Sequence, residues 1–537
     1  EAPAEAPAEA PAEAPAAAEA APAAVGDNKT MERCMLELSR PPVFWQRIDQ
    51  NLVMENHTRH APGMLYGMDF PWNEATLAEM GPEWLTKAMH TVGSLPEDNK
   101  VTKIILEKKI KVTTGNNGGK FLFEVEYEKE DPALHTKLFA KVPFALEGAT
   151  KSDRLSSSVN KQPAELYEIN TYRLLEALLP MKTPKFYFGD ISNETSNFIL
   201  ITERIPYAEI NGRKKQVEPF EIEGPYDKCK DFQLRGPAKA YYILLMQMTG
   251  RIAGAHKSGK MGPEELIAAN FTRPPAGAEN PMAYGFNTFG PSGEAPASYK
   301  KKLETAIKFF SDTARVVFPD YATGEDFQKK FTDTMLTWSA YQGEIEYFKV
   351  LNGDYVALGH NNLNVDNAYF WNDNEGNLDC GVIDWGGFGV LNLGHKIYWV
   401  LNCSDFEHIE ANLDDYIAAF IDAYHANGGP LLDASLVRLH IFLTALANLS
   451  QMMQAIPNCF KMCSVKEWET IADRQDPRIA DNIDGKSTLR STLRQVDNGL
   501  RLLGELQADK VLADWIQDVW VGQFQQQPKT PAMIYGA

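Results

Sequence analysis

Two short polar clusters in the last third of the chain hold residue types that bind metal and phosphate. They are His360-Asn361-Asn362-Leu363-Asn364-Val365-Asp366-Asn367 and Ile383-Asp384-Trp385-Gly386-Gly387. Between them, Tyr369-Phe370-Trp371 and Cys380-Gly381-Val382-Ile383 read as two strands joined by the turn formers Asn372-Asp373-Asn374-Glu375-Gly376-Asn377. A hairpin of this kind sets the clusters side by side. The amide oxygen of Asn367 and the carboxylate of Asp384 are then candidate metal ligands, because Mg²⁺ takes one or two hard protein oxygens beside phosphates.

Three upstream features extend that chemistry. The loop Gly115-Asn116-Asn117-Gly118-Gly119 is a candidate phosphate cradle, since glycine and asparagine let backbone N–H groups approach an anion closely. Lys141, in the apolar strand Leu138-Phe139-Ala140-Lys141-Val142, can pair with phosphate oxygens if a glutamate on the next helix fixes its direction. Glu168 fits that role, with Glu165 a second candidate one turn earlier. Phosphoryl transfer needs little more from a protein than a held triphosphate, a neutralising metal and an aimed hydroxyl.

The elements that must position these residues follow from periodicity. Ile104 to Thr113 reads as a strand, and Phe121, Phe123, Val125 and Tyr127 alternate with Leu122, Glu124 and Glu126. A helix is expected at about 164–179, then strands at 185–189 and 198–202. Beyond Pro206 the pattern turns helical, with amphipathic stretches near 238–257, 299–317, 326–350, 412–426, 434–456 and 487–507. Ser404-Asp405-Phe406-Glu407 has the spacing of a capping box.

Ahead of this, Glu-Ala-Pro-Ala repeats open the chain with nothing to bury, so residues 1–30 read as a disordered tether. Residues 31–95 form an aromatic-rich extension in which Pro82 marks a helix start.

The net charge of -19 argues against nucleic-acid or anionic-membrane partners. Six scattered cysteines do not form a disulfide framework and point to a reducing compartment. A chain that starts at Glu1 leaves an organelle open if a targeting segment has been removed. No apolar run reaches the roughly 18 residues of a membrane span, so a soluble protein is expected.

With these motifs in place, the chain resembles the choline kinase and aminoglycoside phosphotransferase superfamily, more closely its ecdysteroid-kinase-like (CHK kinase-like) branch, over about residues 80–460. The residues that carry the resemblance are His360-Asn361-Asn362-Leu363 with Asn367, Ile383-Asp384-Trp385, Pro82-Glu83-Trp84-Leu85-Thr86 and Glu168-Ile169-Asn170-Thr171-Tyr172. It implies an α+β, bilobal protein-kinase-like fold: a small antiparallel β lobe over residues 96–205 and a large, mainly helical lobe over 206–537. It further implies ATP and Mg²⁺ as cofactors, Lys141 and Glu168 as the lysine–glutamate pair, and Asn367 and Asp384 as metal ligands. Phe198 to Arg204, with Glu203, becomes the adenine-side hinge, and His360 a brace for the loop.

The departures from the family pattern bear on function. Asn362 stands at the catalytic aspartate position and Asn361 at the preceding glycine. Asn362 can hold a hydroxyl but cannot accept its proton, help that is typically worth about 10²- to 10⁴-fold. Asp366 is the nearest alternative carboxylate, expected to point away if Asn367 faces the metal. Leu391 to Lys396 lacks the aspartate that usually braces the loop. Three readings follow: a catalytically impaired pseudokinase acting as a binding or scaffold component through its tether and extension, an active ATP-dependent kinase with a metabolite alcohol as acceptor, and a nucleotide sensor without turnover.

Overall fold

The structure is a computed structural model that describes residues 28–110, 118–207, 220–224, 226–271, 294–481 and 488–536. The Ala/Pro/Glu repeat, the loop positions Gly115, Asn116 and Asn117, and residues 272–293 lie outside the described residues. The first helix begins at Asn28.

Five strands build the small lobe: β1 (Val101–Ile110), β2 (Gly119–Tyr127), β3 (Lys137–Val142), β4 (Phe186–Ile191) and β5 (Phe198–Glu203). They form one antiparallel sheet in the order β1-β2-β3-β5-β4. Alternation along β2 buries Phe121, Phe123 and Val125, as the period of two requires. The helix Ala164–Leu175 lies across this lobe, and every residue in it is buried.

Much of the aromatic-rich extension packs on the chain's own small lobe, while Met35, Leu36 and Phe44 stay exposed. Trp84 packs edge-on against Phe188 of β4 and donates from its indole to the Asp69 carbonyl (2.8 Å). Arg173 pairs with buried Glu37 at 2.8 Å, and the backbone N–H groups of Leu65 and Tyr66 donate to the Asp190 carboxylate. The helix Glu74–Thr91 breaks at Gly81, whose φ is 69°, so Pro82 opens a second helical segment. That is the start signal expected at Pro82, arriving inside an otherwise continuous helix.

In the large lobe, β6 (Val356–Gly359) pairs with β9 (Gly389–Asn392), and the hairpin β7 (Ala368–Asn372) and β8 (Leu378–Val382) lies between them in sequence. Around these strands pack the helices Ala238–Lys257, Glu325–Leu351, Phe406–Ala426, Ala434–Met462 and Thr488–Gly504. The architecture is therefore bilobal α+β, as expected. The capping box expected at Ser404 does not form. Ser404 Oγ donates to the Leu401 carbonyl (2.8 Å) and the Asp405 carboxylate is drawn to Arg494 (2.6 Å), so the helix Phe406–Ala426 begins without a side-chain cap.

The span Ala434–Phe460 is long and apolar enough to cross a membrane, yet 72% of its most apolar window is buried within the protein. It behaves as a core helix, and two of its buried polar residues bond to neighbouring segments of the chain. Asn448 Nδ2 donates to Gln495 (3.0 Å), and His440 Nδ1 accepts from Asn392 Nδ2 (3.0 Å).

Burial and Lys349 push the His440 imidazole down to about 3, and burial, Lys257 and Lys396 push His256 to about 4. An unfolded histidine titrates near 6.5, so below that pH the unfolded state takes up protons that the native state refuses. Stability is thus complete above about pH 6.5 and lost as pH falls toward the folded values, at about 2 kcal/mol per histidine by pH 5. Urea unfolding at pH 7 and pH 5 should show this loss, reduced in His440→Gln. An equal loss in variant and wild type would assign the acid limb to other groups.

Candidate functional site

Lys141 is 3% exposed near the C-terminal end of β3, where its Nζ meets Glu168 Oε2 at 2.6 Å and Asp384 Oδ1 at 2.8 Å. One ammonium therefore joins β3, the helix Ala164–Leu175 and the turn that follows β8. The alternative partner, Glu165, accepts instead from Ser157 Oγ (2.7 Å). Burial works against the charge on Lys141, but Asp384 and Glu168 outweigh it and hold the ammonium above its usual range. At Asp384 burial is likewise outweighed, by Lys141 and Lys120, so this carboxyl is held well below the usual range. Glu168 has the smaller share of the lysine: burial raises it to about 7 against the opposing pull of Lys141.

Asp384 adopts φ 60°, a left-handed conformation uncommon for a residue with a Cβ. Its neighbours hold it there. Ile383 N donates to the Asn367 carbonyl (3.0 Å), and the same Ile383 offers its carbonyl to His360 Nε2 (3.1 Å). His360 Nδ1 accepts from the Asn362 N–H (3.1 Å), and the ring packs on fully buried Trp385. Both imidazole nitrogens are thus committed to holding backbone, in keeping with the downward shift of this histidine to about 4 by burial.

The loop that carries Asn362 is tied by amides. Asn362 Oδ1 accepts from Asn364 Nδ2 (2.8 Å), and the Asn362 carbonyl accepts from Asn367 Nδ2 (2.7 Å). Because Asn367 uses its nitrogen in this way, its Oδ1 has no protein donor among the described residues, and neither has Asp384 Oδ2. Two hard oxygens from adjoining segments, without donors, are a donor set that fits Mg²⁺.

Asp366 was expected to point away from this face. Its side chain lies beside Lys228 (3.4 Å), within electrostatic reach of Asp384, and its Oδ1 has no partner among the described residues. A lysine ties the loop at Asn361. Fully buried Lys396 donates to Asn361 Oδ1 and to the Gly389 carbonyl (2.9 Å), while Asn361 Nδ2 donates to the Gly387 carbonyl. Burial holds the Lys396 ammonium well below its usual range. Lys396 holds the loop as a donor, to one side-chain and one backbone oxygen.

Of the glycine-rich loop, Gly118 and Gly119 are described. A Cβ on Gly118 would lie 2.5 Å from the Val142 carbonyl, so this glycine is required where β2 meets β3, whatever the loop binds. Glu203, the hinge candidate, accepts from the Lys185 N–H (2.8 Å) at the end of β5.

Three lysines of the cleft escaped sequence reading. Lys120 sits directly opposite Lys141 in the β2–β3 register, hence on the same sheet face. Lys161 and Lys228 lie within electrostatic reach of Asp384. Strand parity signals Lys120, because Phe121, Phe123 and Val125 face the core and even positions face away. Nothing local signals Lys161 or Lys228. Lysines set side by side repel, and Asp384, Glu168 and Asp366 supply the opposing charge. The cleft thus gathers four lysines and three carboxylates around the oxygens of Asn367 and Asp384.

Comparison with known proteins gives one kind of match. No family model matches the chain, and no curated protein does. Among solved structures, choline kinase from Cryptosporidium parvum Iowa II is 12% identical, with 80% of this chain and 95% of that one covered at a TM-score of 0.36. A microcompartment-associated aminopropanol kinase is 10% identical over 78% of this chain and 95% of its own, at a TM-score of 0.37. The GDP complex of a mutant aminoglycoside 2'-phosphotransferase-IIIa is 12% identical over 76% and 97%, at 0.35.

Proposed function

We propose that this chain is a catalytically impaired kinase-fold protein of the ecdysteroid-kinase-like branch, a pseudokinase that retains a nucleoside triphosphate site and acts as a binding component. The observation that carries the reading is the state of position 362. Its side chain is an amide whose oxygen is already engaged by Asn364 (2.8 Å), so the loop presents no carboxylate where the acceptor hydroxyl would have to lose its proton. The binding half supports retention of the nucleotide. Lys141, oriented by Glu168, and Lys120 beside it would hold phosphate oxygens. Asn367 and Asp384 would hold Mg²⁺, which neutralises phosphate charge when bound. Positioning without proton removal gives binding with little turnover.

Thermal unfolding with Mg-ATP tests this directly. Saturation at about 100-fold over Kd should stabilise the protein by about 2.7 kcal/mol, and removal of Mg²⁺ should diminish the effect. Absence of any shift would leave scaffolding without nucleotide as the better account.

A second reading, an ATP-dependent small-molecule kinase with an alcohol acceptor, is favoured by one observation. Asp366 leaves an unpartnered carboxylate oxygen within electrostatic reach of Asp384. Turnover of choline, ethanolamine, a sugar, a sterol or an aminoglycoside at an ordinary kinase rate would establish it.

A further inference from the structure

Away from the cleft, the large lobe holds a cavity of about 680 Å³ whose lining includes Cys229, Phe318, Arg474, Arg490, Arg494 and Arg501. Three of these guanidiniums are paired: Arg474 with Asp497 (2.8 Å), Arg494 with Asp405 (2.6 Å) and Arg501 with Glu505 (2.9 Å). Arg490 is different. It is 8% exposed, its closest carboxylate among the described residues is Asp227 at 3.9 Å, and its Nε and Nη2 have no acceptor. Arg494 Nε is also without one. Buried guanidinium donors left unpaired are costly, and an anion in the cavity would satisfy them.

The cavity wall itself contains a group that can become that anion. Cys229 has φ 62°, a left-handed backbone that is uncommon away from glycine and tends to occur at functional positions. Its segment runs beside that of Cys403. Asp405 N donates to Asp231 Oδ2 (2.9 Å), and each cysteine lies two residues before that bond, which sets the two thiols within electrostatic reach of one another. At Cys229 burial opposes ionisation, but Cys403, Arg494 and Arg490 outweigh it and move the thiol down. The other five cysteines shift the opposite way, Cys463 to about 11 and Cys459 to about 12.

We infer that Cys229 and Cys403 form a peroxide-oxidisable dithiol, with Cys229 as the attacking sulfur and Cys403 as the resolving one. The Cys229 thiolate attacks one oxygen of hydrogen peroxide: an S–O bond forms, the O–O bond breaks, and the departing hydroxide takes up the thiol proton as water. The Cys403 sulfur then attacks the sulfenic acid, forming the S–S bond and expelling a second water. Two thiols and one peroxide thus give one disulfide and two waters. The arginines favour the first step by stabilising the thiolate. This chemistry is independent of the kinase reading. It would tie the segment that carries Lys228 to the end of the helix Leu393–Leu401, which carries Lys396.

The experiment treats the reduced full chain with equimolar hydrogen peroxide, blocks free thiols with iodoacetamide after unfolding, and maps the peptides by mass. A Cys229–Cys403 linked pair is expected, with the other four cysteines alkylated. In Cys403→Ser, dimedone should trap Cys229 as a sulfenic acid. In the native reduced protein at pH 7, Cys229 should alkylate at least about tenfold faster than Cys463, and Arg490→Gln should slow it several-fold. Oxidation of a different cysteine first, no linked pair, or a Cys229 rate no greater than that of Cys463 would overturn the inference. The linked-pair and rate measurements need no variant, so they decide the matter even if a substituted chain misfolds.

Discussion

Replacing Lys141 with methionine is expected to destabilise the protein by about 3 to 5 kcal/mol, the range seen when one partner of a buried ion pair is removed. The substitution is nearly neutral in volume, so packing is spared and the loss is electrostatic. Glu168, 4% exposed, and Asp384 would face each other with no ammonium between them. The variant should also lose the Mg-ATP stabilisation. Two further outcomes separate this account from a general packing defect. First, Glu168 titrates near 7 because of burial. A carboxyl raised in the folded state contributes fully below its unfolded value and loses that contribution as pH rises through the folded one. The cost of Lys141→Met should therefore shrink at pH 5, where Glu168 is protonated. Second, adding Glu168→Met should recover stability, since an apolar pair often replaces a buried ion pair at little cost. A loss below about 1 kcal/mol, or one independent of pH, would show that the three-way contact does not hold the lobes' shared site together.

Asn362→Asp should raise ATP hydrolysis or phosphoryl transfer by about 10²- to 10⁴-fold over the native chain, the usual contribution of a general base. The loop can accept the change. Asn364 Nδ2 already donates to position 362, and a carboxylate accepts that bond as well as an amide does. The backbone contacts of Asn362 with His360 and Asn367 are unaffected by the side-chain exchange. A coupled assay with and without candidate alcohols reads the gain, and a parallel Mg-ATP titration checks that affinity is unchanged. A variant that binds nucleotide normally but shows no gain would move the defect to the Asn361–Lys396 contact.

Much of this was legible in the chain's local chemistry. The alternation of Phe121, Phe123 and Val125 announces a half-buried strand. The turn formers between Trp371 and Cys380 announce a hairpin, and the hairpin brings Asn367 to Asp384. Both expectations hold as strands β2, β7 and β8. The choice between Glu165 and Glu168 was not legible. The two lie one helical turn apart on the same face, and the rotation of a helix that is buried all round is set by its neighbours. The capping box failed for a related reason: local spacing proposed Ser404 as the cap with Glu407 closing the box, but Ser404 Oγ bonds to the Leu401 carbonyl and Arg501 of a distant helix claims the Glu407 carboxylate.

What the sequence determined by itself was the order of elements, the two lobes and the residue types at the site, since periodicity, turn chemistry and side-chain chemistry act between near neighbours. What only the tertiary structure decided was which charges face each other. Lys120, Lys161 and Lys228 converge on Asp384, Asp366 lies against Lys228, Lys396 reaches Asn361, and Cys229 shares a cavity wall with Arg490. Each of these meetings joins segments far apart in the chain. Electrostatic energies depend on distance and burial, and folding alone sets both.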